Sequence, residues 1–531
     1  MNKWGIAVII IVVIVIVGAV GAWYAVNQGK EEGGGGGPGQ APAKQIVIGV
    51  TDKVSDLDPA NSYDFFTWEI HQNTMDGLVK YKLGTTEIEP AIAKSWEVNE
   101  DATVWTFHLR NDVKFADGTP LKAENVVWSI KRVMKINGDP AWLVTDFVKD
   151  VTAPDDYTVV FTLKHSTAYF LSLLCTPPYF PVSSKYNPDE IDHDQTAGGA
   201  GPYKITNWVR DQEMDLETNP YYYGPKPKTE KIVIRFYQSA STMRLALQNG
   251  EINIAWRTLT PTDIKSLQES GKFTVVEVPS AYIRYACLQT QAPPTNNKLV
   301  RQALAAAVDR SKIVSIVFQD TVEPLYTMIP IGMWSHEDVF KEKYGTGPNL
   351  DLAEQLLQQA GYSESNKLKV QLWYTPTHYG DTEADLAQML KEQWEATGMV
   401  EVTIKSAEWG TYLDYARNAE MQISLFGWYP DYLDPDDYTT PFLSSVENAN
   451  GWTGTRYNNS HMNEILQEAQ SLSDQSEREQ LYKEAQQILA EDVPYIPLLQ
   501  GKLYVVTDPN IKGVNIGPDM VFHYDLLYWT S

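Results

Sequence analysis

Apolar positions along this chain fall into two kinds of run. The first is short, and either continuous or alternating. It occurs at 45–51 (QIVIGVT), 103–109 (TVWTFHL), 157–163 (YTVVFTL), 231–237 (KIVIRFY), 369–374, 400–406 and 421–426. Runs of this length, rich in β-branched and aromatic residues, predict strands, because such side chains suit a pleated, half-buried surface. The second kind repeats at three- and four-residue spacing and predicts helices at 67–79, 123–134, 242–249, 299–317, 352–360, 384–397 and 464–490. Gly250, Gly361 and Gly398 stand where three of these helices should stop, and Asp309 is placed to cap within 299–317. Breakers fall at 56–61 (DLDPAN), at Gly118-Thr119-Pro120 and at 198–202 (GGAGP), the last a candidate crossing between subdomains. Beyond Ala292 strands and helices alternate, which predicts an α/β lobe.

The amino end follows neither pattern. Lys3 precedes an uncharged, mostly Ile, Val, Gly and Ala run over 4–26. As a helix it would reach about 34 Å at about 1.5 Å per residue, enough to cross a bilayer. Residues 1–29 are therefore expected to form a membrane anchor or signal segment, with Ala22 as the alternative cleavage position. No Cys follows the run, which excludes a bacterial-type lipid anchor. Residues 30–44 are rich in Gly and Pro and read as a flexible tether. Lys3 inside agrees with a globular part outside the cell, on the cell surface.

Composition narrows the function. A chain of 531 residues exceeds one hydrophobic core. Its net charge of -25 offers no basic surface for phosphates, so a nucleic-acid partner is excluded. Two cysteines, Cys175 and Cys287, lie in apolar surroundings and read as buried free thiols. The eight histidines are scattered, and His336 reads as part of a solvated loop, so no metal site or cofactor is expected. The sequence holds no HExxH, CxxC, GxSxG or GxxxxGK, so no catalytic residue is assigned.

Several ordered blocks then carry a family resemblance. They are DATVWTFHLRNDVKFADGTPLKAENVVWSIKRV around 97–132, GPYKITNW and NPYYYG within 201–224, VRQALAAAVDRSKI at 300–313, LDLAEQLLQQAGY at 350–362 and GWYPDYLDPDD at 427–437. Together they resemble the family 5 extracellular solute-binding proteins, the receptors of oligopeptide and dipeptide ABC importers. The resemblance implies an α/β, two-lobed periplasmic-binding-protein-like fold (type II, cluster C) with an extra subdomain, preceded here by the N-terminal transmembrane helix. It implies lobe one at 45–292, with the inserted subdomain at about 88–196, lobe two at 293–497, and a return to lobe one at 498–531.

It also implies a non-enzymatic, monomeric receptor that closes on an oligopeptide and delivers it to ABC permease subunits. In peptide-binding members the acid after Gly-Trp-x-x holds the ligand's α-amino group, and here that acid is Asp431. Trp428 and Trp409 stand where relatives line side-chain pockets. Asp434, Asp436 and Asp437 read as turn or N-cap residues. Some relatives carry an arginine three residues before the tryptophan of Gly-Trp. This chain has Leu425 there, with Arg417 nearby in sequence, so recognition of the far end of the ligand departs from that pattern. High aromatic content, with 16 Trp and 30 Tyr, keeps an oligosaccharide receptor of the same family as the alternative. A surface-anchored hydrolase is the alternative from another class.

Overall fold

A computed structural model describes residues 45–530, except 55 and 377. The anchor expected at 1–29 and the tether at 30–44 lie outside the described residues. The backbone of the fold is a mixed sheet of eleven strands. In one half, Ile46–Val50 lies parallel between Lys231–Phe236 and Ile254–Trp256. The antiparallel strands Glu213–Thr218 and Tyr203–Val209 extend that edge. In the other half, Leu368–Tyr374 lies parallel to both Val400–Ser406 and Ile423–Trp428. Every residue of Ile46–Val50 is buried, whereas Val104–Leu109 in a second sheet alternates buried and half-buried positions. A parallel strand covered on both faces needs a continuous apolar run, and a strand with one wet face needs alternation.

Two long antiparallel strands, Thr274–Leu288 and Tyr495–Thr507, belong to both halves. One end of the second pairs with Ile254–Trp256, and the far end of the first pairs with Ile423–Trp428. Their register breaks between Pro279 and Ile283. There the Ser280 hydroxyl donates to the Gly501 carbonyl at 3.0 Å, and Gln500 Nε2 donates to the Ser280 carbonyl at 2.7 Å. The break is thus hydrogen-bonded shut and lies where the halves meet.

A separate four-stranded antiparallel sheet orders Ala93–Val98, Val104–Leu109, Thr158–Leu163 and Val148–Asp155. The helix Ala123–Ile136 packs on it. A core of its own, built on Trp105, Phe107, Phe161 and Phe170, holds this sheet.

Element boundaries moved where a polar side chain restarts a helix. The helix predicted at 299–317 splits into Lys298–Ala306 and a new turn from Arg310, because the Asp309 carboxylate accepts from Lys312 N at 3.1 Å. The helix predicted at 464–490 is two, Ser460–Ser471 and Gln475–Asp492, the second capped by Asp474 accepting from Glu477 N at 3.0 Å. Such a carboxylate satisfies an orphan helix N–H, so the next helix begins there. The helix predicted at 67–79 is Phe65–Thr74, and Val79 opens a short strand. Cys175 and Cys287 are buried and free.

Candidate ligand-binding site

Ile423–Trp428 is buried up to Trp428, where the chain reaches the edge of the sheet and becomes half-buried. Gly427 is required at this point. A Cβ there would meet Arg284 Cδ at 2.8 Å and the Tyr282 and Tyr379 rings at 2.9 and 3.0 Å. The next turns carry Asp431, Asp434, Asp436 and Asp437, and the four acids do different things. Asp434 caps a short turn, accepting from Asp436 N at 3.0 Å, and forms a buried two-pronged ion pair with Arg478 at 2.9 and 2.6 Å. Asp436 accepts from the Tyr432 hydroxyl at 2.9 Å and the Thr440 hydroxyl at 2.7 Å. One oxygen of Asp437 accepts from Trp428 Nε1 and from Asp431 N, each at 3.1 Å. Its other oxygen is buried without a hydrogen-bond partner. Asp434 is thus the N-cap expected from sequence, while Asp437 ties Trp428 to the backbone of Asp431.

Asp431 itself is half-buried, and its Oδ2 accepts a 2.7 Å hydrogen bond from the Tyr63 hydroxyl. Burial pushes its pKa up to about 7, against the opposing pull of the Tyr63 hydrogen bond. Asp437 is raised well above the carboxylate range, by burial first and then by the neighbouring charge of Asp431. Two carboxylates this close in a poorly solvated place resist carrying two charges. A cation arriving between them would remove that resistance.

Tyr63 comes from the opposite half of the molecule, and other residues join it there. Phe65 packs on Tyr429 with centroids 5.0 Å apart, and Tyr282, at the register break, stacks on Tyr429 at 4.4 Å. The Arg257 guanidinium lies 4.2 Å from the Phe65 centroid and 5.2 Å from that of Tyr429. Tyr432 stacks on Tyr169 at 5.2 Å, and Leu433 N donates to the Tyr81 hydroxyl at 3.0 Å. The cleft is closed, with aromatic walls and an acidic end.

The structure brings Trp428 to Asp431 through Asp437. The other side of Trp428 packs on Phe442 and Trp452, at 5.2 and 5.3 Å. Trp409 lies one ring further out, at the start of the helix Trp409–Arg417, stacked on His378 at 3.6 Å. It is linked to the site through Tyr379, whose hydroxyl donates to the Gly427 carbonyl at 3.3 Å. Leu425 is fully buried in the sheet core, and the Arg417 side chain is exposed beside Asp414, so neither stands in the cleft. The arginine beneath Gly427 is Arg284. It is buried, ion-paired with Glu383, and bonded to the Tyr282 hydroxyl at 2.8 Å and the Phe426 carbonyl at 3.2 Å. Tyr63, Asp52, Arg257 and Tyr429 were not singled out from sequence. Tyr429 sits inside the quoted motif, but the others meet it only through the fold. Among the described residues no group of three His, Cys, Asp or Glu could hold a metal ion.

Two α/β halves joined by two long strands, meeting across an aromatic-walled cleft with an acidic end, define the two-lobed periplasmic-binding-protein fold. The chain belongs to the bacterial extracellular solute-binding proteins, family 5, whose middle-region model matches residues 87–450. It is similar to the probable D,D-dipeptide-binding periplasmic protein DdpA of Escherichia coli K12, at 27% identity over 502 residues, covering 92% of this chain and 94% of that one. It is also similar to heme-binding protein A of Haemophilus influenzae, at 29% identity over 490 residues, covering 87% of each. Among solved structures it resembles the ABC transporter-associated periplasmic binding protein DppA from Helicobacter pylori in complex with the peptide STSA. That match has a TM-score of 0.79 and 28% identity, covering 92% of this chain and 98% of that one.

Proposed function

We propose that this protein is a receptor rather than a catalyst, and that it captures short peptides between its lobes outside the cytoplasm and passes them to the permease of an ABC importer. The observation that carries the reading is Asp431, a half-buried carboxylate with a raised pKa whose side-chain partner is the neutral Tyr63 hydroxyl. A peptide's α-ammonium is the counter-charge such a group lacks. Trp428 forms a wall beside it, and Trp409 belongs to the outer part of the same aromatic lining. The relative with a D,D-dipeptide name and the neighbour solved with a bound peptide support the ligand class. The lobes divide at 45–292 and 293–497, with 498–531 returning to the first and the insert at about 88–196. Residues 1–29 anchor a monomeric receptor to the cytoplasmic membrane through the tether.

The test is calorimetric titration and thermal shift of the full-length chain with alanine di- to pentapeptides, their N-acetylated forms, and maltooligosaccharides. A ligand at about 100 times its Kd adds roughly 2.7 kcal/mol, a visible shift. Free peptides should bind, acetylated ones should bind much more weakly, and Asp431→Asn should cost free peptides about 2–5 kcal/mol. Equal binding of free and acetylated peptides would remove the amine role of Asp431. Response to the saccharides alone would reassign the tryptophans as sugar platforms.

A further inference from the structure

We infer that Asp52 and Arg257 form a second ligand subsite, which takes the main-chain N–H and C=O of one extended ligand residue. This rests on the peptide reading of the Asp431 site and adds to it a place where the backbone itself is held.

Both residues lie just past the carboxyl ends of neighbouring parallel strands, Ile46–Val50 and Ile254–Trp256, which pair Ile48 with Ile254 and Gly49 with Ala255. Ligands of parallel α/β sheets lie outside this edge, because side chains and loops there are freed from the ladder. Arg257 and Thr258 both have left-handed backbones, with φ of 59° and 56°. Two successive non-glycine residues in this region are sparsely populated and strained, and such strain gathers where a side chain must be held in place. The Thr258 hydroxyl is hydrogen-bonded to that of Thr51, which ties the two strand ends together.

The ion pair is incomplete in a particular way. Arg257 Nη2 meets Asp52 Oδ1 at 3.1 Å, with the two side chains 10% and 17% exposed. Arg257 Nη1 and Asp52 Oδ2 are buried with no hydrogen-bond partner. Buried polar atoms are almost always paired, so one open donor beside one open acceptor calls for an occupant. A carboxylate would meet Arg257 but be repelled by Asp52, and an ammonium would face the reverse. A neutral group with one acceptor and one donor satisfies both. An extended peptide residue offers its N–H and C=O on one side, as it does to a neighbouring strand.

The pair borders the same cleft as Asp431. The guanidinium lies over Phe65 and Tyr429, and Tyr429 precedes Asp431 by two positions. The two other arginines behind the cleft wall are more fully engaged. Arg284 bonds Glu383, Tyr282 and Phe426, and Arg478 bonds Asp434, Ala469 and Tyr482.

The test is an ester scan by calorimetry on the full-length chain. The probe is tetra-alanine, with each amide N–H replaced in turn by an ester oxygen. One internal ester should weaken binding to the wild type about 10-fold, the loss of one well-placed hydrogen bond. In Asp52→Asn, whose amide turns its oxygen to Arg257 and its N–H₂ to the ligand, the same ester should cost under about 2-fold. N-acetylation should remain as damaging in the variant as in the wild type. Should Asp52→Asn not fold, Arg257→Lys, which keeps the charge but loses the fork, should weaken tetra-alanine about 10-fold and leave the acetylation penalty intact. Equal ester penalties in wild type and Asp52→Asn at every position, or an Arg257→Lys affinity equal to wild type, would overturn the subsite while leaving the peptide reading standing. No binding of any alanine peptide by the wild type would overturn both.

Discussion

The Tyr63 hydroxyl donates to Asp431 Oδ2 at 2.7 Å, so a side chain from the opposite half of the molecule occupies the carboxylate assigned to the ligand's amine. The contact between the halves is therefore held partly by a hydroxyl that stands in for the proposed ligand amine. A neutral phenol supplies one donor, whereas an ammonium supplies three and a full charge. Exchanging one for the other costs the receptor its own hydrogen bond before the ligand gains anything.

Tyr63→Phe should therefore tighten binding of a free-amine peptide by about 3- to 10-fold, the worth of one net hydrogen bond. It should also raise the fraction of open molecules without ligand, readable as a larger radius of gyration in X-ray scattering. Weaker binding in the variant would mean that Tyr63 touches the ligand instead of competing with it.

The pH dependence follows from the direction of the Asp431 shift. Its folded pKa, about 7, lies above the ordinary value of 3.8, so the folded protein holds the extra proton between those values. The associated stability is fully present below about 4 and is lost as pH rises through about 7. Asp431→Asn should remove that slope and raise ligand-free stability at pH 8, measured as urea midpoint against pH. Peptide binding should run the other way. It should be about fivefold weaker at pH 6 than at pH 7.5, since protons compete for Asp431, and should fall again above about pH 8 as the α-amine deprotonates. Affinity that is flat from pH 5.5 to 7.5 would contradict this assignment.

What the sequence disclosed depended on how local the cause was. Strands such as Ile46–Val50 and Thr158–Leu163 were readable because one environment, doubly buried or half-buried, acts along their whole length. Thr274–Leu288 and Tyr495–Thr507 were not, because each passes from one half of the molecule to the other and its pattern changes midway. The Asp309 cap was legible, but the Asp474 cap that divides 464–490 was not, since capping depends on one carboxylate and leaves the apolar spacing intact. Within the site, Asp431 and Trp428 share one short motif and were visible together, whereas Asp437 of the same motif was read as a turn or N-cap residue and instead ties those two together. Tyr63, Asp52 and Arg257 reach them across hundreds of residues, and no local pattern marks such a meeting.

The loop that carries Asp431 owes its position to a charge pair that sequence reading left as a turn. Arg478 reaches from the helix Gln475–Asp492 to grip Asp434 with two nitrogens, while its Nε donates to the Ala469 carbonyl at 2.9 Å and its Nη2 to the Tyr482 hydroxyl at 3.0 Å. Both partners are almost wholly buried. Arg478→Met would strand the Asp434 carboxylate in a dry place, and should destabilise the protein by about 3–5 kcal/mol in urea unfolding. Asp434→Leu combined with Arg478→Met removes both charges and should recover most of that loss, because the penalty lies in the unpaired charge more than in the absent attraction. Peptide affinity should stay reduced in the double variant. The N-cap that Asp434 provides to Asp436 is gone, and Asp431, three residues earlier, loses its fixed approach to the ligand. Full recovery of affinity in the double variant would show that Tyr432, Asp436 and Asp437 hold the loop without the ion pair.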